Sequence, residues 1–302
     1  MDFPIAGVTI SPLVLIAIGF VVGIMGGFFG VGGGFIAGPM MFWFGVPMNF
    51  VVGTDLAYMT GKSIVAAKKH GRLGNVDVKL GVIMVTGTVV GVEIGARIIE
   101  VLKVSGNIDM IIGVAYVIIL LLIGTFTAWE SLKALHIAHT DEMHIADEVF
   151  AFTRITTAVR KIKLWPMIKF PVSGIDEISL WVVLTVGIIA GLLAGALGVG
   201  GGFIRMPMLI YLIGVPTHVA IGTDLFEIMF SAGFGTFTHA LKGNVDVYMA
   251  LVMQTGAIMG AKIGATMTQY FTGPKIRLAF AVLPFVGAAL VIVRLVSGGA
   301  GH

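Results

Sequence analysis

Long stretches without charge constrain the fold of this chain more than any other feature. Residues from Val8 to Phe29 carry no ionisable side chain, and a helix of that length crosses the ~30 Å hydrocarbon core of a bilayer. Comparable apolar stretches recur at residues 49–69, 79–101, 108–129, 178–197, 218–241, 246–271 and 276–296. The sequence therefore predicts an all-α integral membrane protein with about eight full spans, multi-pass in the cell membrane and surrounded by the lipid bilayer.

Composition excludes several other classes. Of 302 residues, 57% are hydrophobic and only 12% are charged, which is about half the charged share of a soluble domain. The apolar stretches are continuous, whereas strands of a membrane β-barrel would alternate polar and apolar residues. The absence of cysteine excludes disulfides and thiolate metal sites. We expect no cofactor, no metal and no nucleic-acid partner.

The chain contains an internal duplication. The segment Gly30–Ile36, with the sequence Gly-Val-Gly-Gly-Gly-Phe-Ile, recurs at Gly198–Ile204. One residue is then inserted in the second copy, and the register continues. The later matches are Pro39 with Pro207, Gly45-Val46-Pro47 with Gly214-Val215-Pro216, Gly53-Thr54-Asp55-Leu56 with Gly222-Thr223-Asp224-Leu225, and Gly74-Asn75-Val76-Asp77 with Gly243-Asn244-Val245-Asp246. Glycines at every fourth residue (Gly19, Gly23 and Gly27; Gly87, Gly91 and Gly95) also have counterparts, and they predict helix-packing faces.

The duplication divides the chain into a first transmembrane repeat (1–129), a linker (130–177) and a second repeat (178–302). The linker is the only long polar stretch, and either an amphipathic helix on the membrane surface or a simple connection fits it. Basic residues after the 49–69 span predict that this loop, and with it the linker, is cytoplasmic. The repeats are parallel if segment 35–44 re-enters the membrane and inverted if that segment crosses it.

Each Gly-Val-Gly-Gly-Gly segment predicts a broken helix, because three successive glycines are costly inside a helix and permit left-handed backbone angles. Irregular backbone at membrane depth occurs where it lines a cavity, and a pair of broken helices in two repeats is typical of a transporter binding site. Free N–H groups at the following half-helix would suit an anion. The predicted substrate-binding glycines are Gly32, Gly33, Gly34, Gly200, Gly201 and Gly202. A tight turn without a ligand is the alternative.

Ionisable residues inside the spans form a second group of candidates, because such groups are expensive in the membrane. Asp55, Asp224 and Glu227 are predicted to carry coupling protons. Thr54, Thr223 and Arg205 are predicted to bind the substrate, the guanidinium by gripping an oxyanion with two hydrogen bonds. Caps at a frayed helix start would be the structural alternative for the aspartates. Lys62 also lies within a span, and snorkelling to the interface would explain it.

The repeated glycine segment, the following proline, and the Gly-Thr-Asp-Leu and Gly-Asn-Val-Asp motifs resemble those of the sulfite exporter TauE/SafE family. The resemblance covers nearly all of both repeats and leaves residues 130–177 unexplained. It places the family motifs on Gly32 to Gly34, Pro39, Thr54 and Asp55 and on their counterparts in the second repeat. It implies export of sulfite, sulfoacetate or related organosulfonates, energised by the proton gradient.

The sequence thus predicts a secondary transporter that exports a small sulfur oxyanion, with protons as the coupling partner. An uncoupled anion channel is the first alternative, although fixed negative charge would repel a permeant anion. A membrane enzyme or assembly factor is less favoured, because the spans lack an evident nucleophile–base pair. We expect no enzymatic activity, and the sequence leaves open whether the protein is a homo-oligomer.

Overall fold

Helices dominate the computed structural model of this chain, which describes residues 1–104, 108–138, 154–198 and 200–298. The helices are α1 (Pro12–Phe29), α2 (Gly34–Trp43), α3 (Met48–Arg72), α4 (Val78–Val104), α5 (Ile108–Ala138), α6 (Arg154–Arg160), α7 (Leu180–Leu197), α8 (Gly202–Pro207), α9 (Thr217–Leu241), α10 (Val247–Met267) and α11 (Gly273–Gly298). A π-helix (Met208–Ile213) continues α8, and a 3-10 turn (Thr268–Tyr270) extends α10. Strands β1 (Asp2–Phe3) and β2 (Val8–Thr9) form one antiparallel hairpin, and β3 (Met167–Phe170) and β4 (Ile175–Ser179) form another.

Six helices in the described part of the chain are long and apolar enough to cross a membrane: α1, α4, α5, α7, α10 with its extension, and α11. The prediction of an all-α, multi-pass membrane protein is confirmed. The predicted count of about eight spans also includes the stretches that form α3 and α9. These two helices are less apolar because they carry buried ionisable residues.

The two repeats are intertwined through their glycine faces. Helix α1 packs against α10 of the other repeat, and α4 packs against α7. Along the first pair, Gly19, Gly23 and Gly27 lie against Met253, Ala257 and Ala261; along the second, Gly87, Gly91 and Gly95 lie against Leu184, Ile188 and Leu192. Because both series ascend together, the helices of each pair run parallel. The glycines act as helix-packing faces, as their spacing predicts.

Equivalent helices of the two repeats run in opposite directions. Gly53, near the start of α3, lies against Asn244, just beyond the end of α9, and Gly222, near the start of α9, lies against Asn75, just beyond the end of α3. Helices α3 and α9 are therefore antiparallel although they occupy the same place in the two copies. Since α1 is parallel to α10 and α7 to α4, the whole second repeat is inverted relative to the first.

The predicted linker divides between several elements. Helix α5 continues to Ala138, beyond the predicted boundary at 129, and Glu130 and Ser131 just past that boundary are buried. Hairpin β3–β4 precedes α7 as hairpin β1–β2 precedes α1. The amphipathic helix predicted in the linker rests on a pattern over residues 149–165, of which 149–153 lie outside the described residues and Arg154–Arg160 form the short helix α6. Ile162 and Trp165 follow α6 in non-helical backbone, so the predicted helix is shorter than its pattern.

The single residue inserted in the second repeat has a structural consequence. In α8 the chain changes from α-helical to π-helical hydrogen bonding, and the N–H of Gly214 donates to the carbonyl of Leu209, five residues back, at 3.0 Å. One extra residue is thereby accommodated without displacing the following Gly-Val-Pro turn. Helix α6 packs on this segment, where the Thr156 hydroxyl donates to the carbonyl of Tyr211 at 2.7 Å.

Candidate functional site

Each Gly-Val-Gly-Gly-Gly segment forms a turn between two helices. Helix α1 ends where the N–H of Gly30 donates to the carbonyl of Gly26 at 2.9 Å, and α2 begins after Gly33. Six glycines of the two turns have positive φ between +68° and +83°: Gly30, Gly32, Gly33, Gly198, Gly200 and Gly201. Residues with a Cβ rarely adopt these angles, so the turn conformation depends on glycine.

The two turns converge on one side chain. The end of the Met59 side chain lies where a Cβ on either Gly32 or Gly200 would have to fit. Beside the turns, the rings of Phe35 and Phe203 stack with centroids 6.1 Å apart. Glycine in both turns therefore allows α3 to enter between them, and the predicted glycine sites of the two repeats form one central region.

In the second repeat, a buried ion cluster adjoins the turn. The guanidinium of Arg205 on α8 pairs with both Asp224 and Glu227 on α9. It also donates to the hydroxyl of Thr88 at 3.4 Å and to the carbonyl of Gly200 at 3.2 Å. All three ionisable side chains are fully buried. The structure thus brings together three predicted site residues, and the guanidinium is already occupied by protein acceptors.

In the first repeat, the corresponding face of α3 carries Asp55, Tyr58 and Lys62. All three are at most 2% exposed. The ammonium of Lys62 forms no hydrogen bond with a described residue. The Lys62 Nζ lies 4.2 Å from the centroid of the Tyr58 ring and 3.3 Å from the point that a Cβ on Gly33 would occupy. Snorkelling to the interface is therefore wrong for Lys62, because its ammonium lies beside the glycine turn.

Thr54 and Thr223 lie at contacts between the repeats. The hydroxyl oxygen of Thr54 accepts from the N–H of Asp246 at 3.0 Å, and that of Thr223 accepts from the N–H of Asp77 at 2.9 Å. Each threonine therefore holds the start of a helix in the other copy. A role in substrate binding stays a prediction for both, and the structure gives each hydroxyl a structural contact that the sequence spacing did not indicate.

Asp77 and Asp246 cap the helices that follow them, as their place in the motif predicts. Asp77 accepts from the N–H of Leu80, and Asp246 accepts from that of Met249, both at 3.0 Å. Their second oxygens bind the hairpins. Asp77 accepts from the hydroxyl of Ser173 at 2.7 Å, and the equivalent contact of Asp246 is with the N–H of Ala6 at 3.2 Å. These aspartates thus fasten each β-hairpin to the opposite repeat.

The central charges are enclosed in this conformation. Asp55, Lys62, Arg205, Asp224 and Glu227 are each at most 2% exposed. Three apolar cavities of about 320–340 Å³ lie in the described part of the chain, and they are lined by peripheral side chains rather than by these five. Two of the cavities flank the π-helix, where they share Met208 and Leu212.

Comparison with known proteins gives a consistent assignment. A family model described as sulfite exporter TauE/SafE matches residues 15–291, and the resemblance seen in the motifs is confirmed. A probable membrane transporter protein (YjnA) of Bacillus subtilis is 22% identical over 92% of this chain and 96% of its own length.

Two further relatives are similar over shorter regions. A probable membrane transporter protein of Xylella fastidiosa (strain Temecula1) is 31% identical over 41% of this chain and 48% of its own length. Sulfite exporter TauE/SafE family protein 3 of Arabidopsis thaliana is 32% identical over 39% of this chain and 24% of its own length. The alignments with this Xylella protein and with two probable membrane transporter proteins of Bacillus subtilis (YdhB and YunE) span less than half of each relative's length. No solved structure is significantly similar to the chain.

Proposed function

Because the chain belongs to the sulfite exporter TauE/SafE family, we propose that it is a secondary transporter that exports a small sulfur oxyanion. Sulfite, sulfoacetate and related organosulfonates are the proposed substrates, and the proton gradient is the proposed source of energy. The family is a class of membrane transporters rather than of enzymes.

One observation carries this proposal: the broken helices of two inverted repeats converge on an enclosed cluster of charges. Inverted repeats with discontinuous helices at a central site are the architecture of many secondary transporters, in which one part rocks against another around the site. A buried ionisable group in a membrane protein is expensive, and two groups of them, one beside each glycine turn, favour a role in transport.

The proposed topology has five membrane elements in each repeat, the odd number that inversion requires. Helices α1 and α3 run in the same direction, because α1 is parallel to α10, which is antiparallel to α9, which is in turn antiparallel to α3. Helix α2 must therefore lead back across the membrane between them, although its 10 residues cover only ~15 Å, half the thickness of the hydrocarbon core. The α8 segment is its counterpart. Each glycine turn is then the tip of a hairpin inside the membrane.

The balance of buried charge supports a proton as the coupling ion. Arg205 pairs with two carboxylates, Asp224 and Glu227, which gives minus two plus one, or a net charge of minus one, when all three are ionised. One bound proton would make this cluster neutral, whereas Asp55 and Lys62 already balance each other. We therefore assign the coupling proton to the pair Asp224 and Glu227.

The proposal is tested by measuring sulfite flux in proteoliposomes loaded with sulfite, with and without an imposed pH gradient. We expect the gradient to drive sulfite against its concentration difference. The Glu227→Gln variant should lose this uphill flux while its thermal melting temperature in detergent stays close to that of the wild type.

Two outcomes would contradict parts of the proposal. Downhill flux that is indifferent to pH would favour the uncoupled channel. Absence of flux with sulfite, sulfoacetate and other sulfonates would contradict the substrate class itself. The buried charges would then have to serve another ligand.

A further inference from the structure

We infer that the transported anion binds to Lys62, in front of the first glycine turn, and that Arg205 acts as a fixed internal counter-ion. This inference rests on the proposed function, and it identifies which of the two buried cations receives the substrate. It also assigns substrate binding to the first repeat and charge neutralisation to the second, although the backbones of the two repeats are equivalent.

The surroundings of Lys62 leave its charge available. The ammonium group has three hydrogen-bond donors, and none of them is bonded to a described residue. Its side chain is 2% exposed, so water does not replace the missing acceptors at the surface. A buried cation without hydrogen bonds is costly, and an anion at this place would supply the acceptors.

A second observation points to the same place. The Lys62 Nζ lies 3.3 Å from the point that a Cβ on Gly33 would occupy, and Gly33 is the residue from which α2 begins. The first N–H groups of a helix, here those of Gly34 and Phe35, have no acceptor within the helix. Together with the helix dipole they attract small anions. Lys62 and the start of α2 therefore bring positive charge to the same place from two elements.

Arg205 has the opposite surroundings. It pairs with Asp224 and Glu227 and donates to the hydroxyl of Thr88 and the carbonyl of Gly200. To bind an anion, it would have to leave two carboxylates buried without their partner, which is strongly unfavourable. The prediction that Arg205 grips the substrate is therefore replaced by a role in neutralising the second repeat.

The differences between the repeats agree with this division. The counterpart of Arg205 in the first repeat is Ala37, and the counterpart of Lys62 in the second is Ser231. The hydroxyl of Ser231 donates to Glu227 at 3.0 Å, so this residue completes the ion cluster. Each repeat thus has one buried cation on a different element: Arg205 is paired with two carboxylates, whereas Lys62 lies beside the first glycine turn.

The position of Asp55 predicts that two substitutions change the anion affinity in opposite directions. It lies close enough to Lys62 for electrostatic attraction, with the hydroxyls of Tyr58 and Tyr116 as further neighbours. Its carboxylate balances Lys62 and repels an incoming anion. Removal of the Asp55 charge should therefore strengthen anion binding, whereas removal of the Lys62 charge should weaken it.

The test is isothermal titration calorimetry of the purified full-length protein in detergent, with sodium sulfite and sodium methanesulfonate as probes. We expect Lys62→Met to weaken binding about 10- to 100-fold, because a hydrogen bond to a charged group is lost. Asp55→Asn should tighten binding several-fold. Lys262→Met is the matched control: the same substitution at an exposed lysine of α10 should leave the affinity unchanged.

The outcomes separate this inference from the proposed function. If the wild type binds and folded Lys62→Met binds equally well, Lys62 is not the anion ligand, whereas the transporter assignment stands. If the wild type binds neither probe, both are overturned. Should Lys62→Met fail to give a monodisperse protein, the Asp55→Asn/Lys62→Met double variant is compared with Asp55→Asn alone, and equal affinity of these two variants would overturn the inference.

Discussion

At the scale of single residues, the glycines of this chain have two different physical roles. In the turns, positive φ makes glycine necessary whatever surrounds it. At Gly32 and Gly200, an additional constraint applies, because a Cβ would meet the end of the Met59 side chain. These two positions therefore combine a backbone requirement with a close approach to the Met59 side chain in the central region.

Replacing Gly32 with alanine separates the two roles. Gly74 has a similar φ of +75° and no neighbour within 4 Å, so Gly74→Ala has only the backbone cost of about 1 kcal/mol. We expect Gly32→Ala to reduce sulfite flux in proteoliposomes at least about tenfold, because Met59 is pushed into the central site, which corresponds to ~1.4 kcal/mol. Gly74→Ala should retain most of the flux. Equal loss in both variants would mean that the φ strain alone is responsible.

The sequence indicates which residues are candidates at the site, but it cannot indicate their partners. The motif spacing identifies the turns and Asp55, because both depend on local pattern and on membrane cost. The pairing of Arg205 with Asp224 and Glu227 joins two helices, and the interaction of Thr54 with the start of α10 joins two repeats. Nor does spacing distinguish a snorkelling lysine from one that, like Lys62, turns toward a glycine.

At the scale of helices, the parallel pairs α1–α10 and α4–α7 pack at close range because glycines face backbone atoms. A Cβ on Gly91 would lie 2.6 Å from the Leu192 nitrogen, and one on Gly187 would lie 2.6 Å from the Met84 oxygen. Backbone atoms cannot rotate away as a side chain does. These contacts join one repeat to the other, so they hold the intertwined arrangement together.

Helix packing is tested by Gly91→Ala, with Gly233→Ala as its control. Gly91→Ala forces α4 and α7 apart, and we expect it to lower stability by about 1–3 kcal/mol. At Gly233, in the middle of α9, the nearest atom to an added Cβ is Thr60 Cγ2 at 3.6 Å, so alanine fits and should be neutral or stabilising by up to about 1 kcal/mol. Circular dichroism during thermal unfolding in detergent measures both. A stable Gly91→Ala variant would contradict the tight packing.

The helix boundaries agree closely with the apolar stretches, but two features of the helices cannot be predicted from those stretches. The glycine ridges predict packing faces but not that α1 selects a helix of the other repeat, since a ridge carries no information about its partner. The inserted residue is visible in the repeat register, but its structural form, a π-helix at Met208–Ile213, depends on the fixed place of the Gly-Val-Pro turn and the docking of α6.

At the scale of the whole molecule, inversion places equivalent loops on opposite faces. The turn after α3 lies beside hairpin β3–β4, since Asp77 binds Ser173, and the turn after α9 lies beside hairpin β1–β2, since Asp246 binds the backbone of Ala6. Each face thus carries one aspartate, one hairpin and one helix pair. Such pseudo-symmetry gives a transporter two similar conformations, each open to one side, and so supports alternating access.

This inversion predicts opposite labelling of two equivalent residues, Arg72 and Leu241, which are exposed at the ends of α3 and α9. The chain contains no cysteine, so a single introduced cysteine reports its own location. In intact cells, a membrane-impermeant maleimide should label Leu241→Cys, whereas Arg72→Cys should react only after permeabilisation, because the basic residues before it favour the cytoplasmic side. The reverse pair would preserve the inversion and contradict the orientation alone. Labelling of both residues from one side would require parallel repeats and would contradict the antiparallel course of α3 and α9.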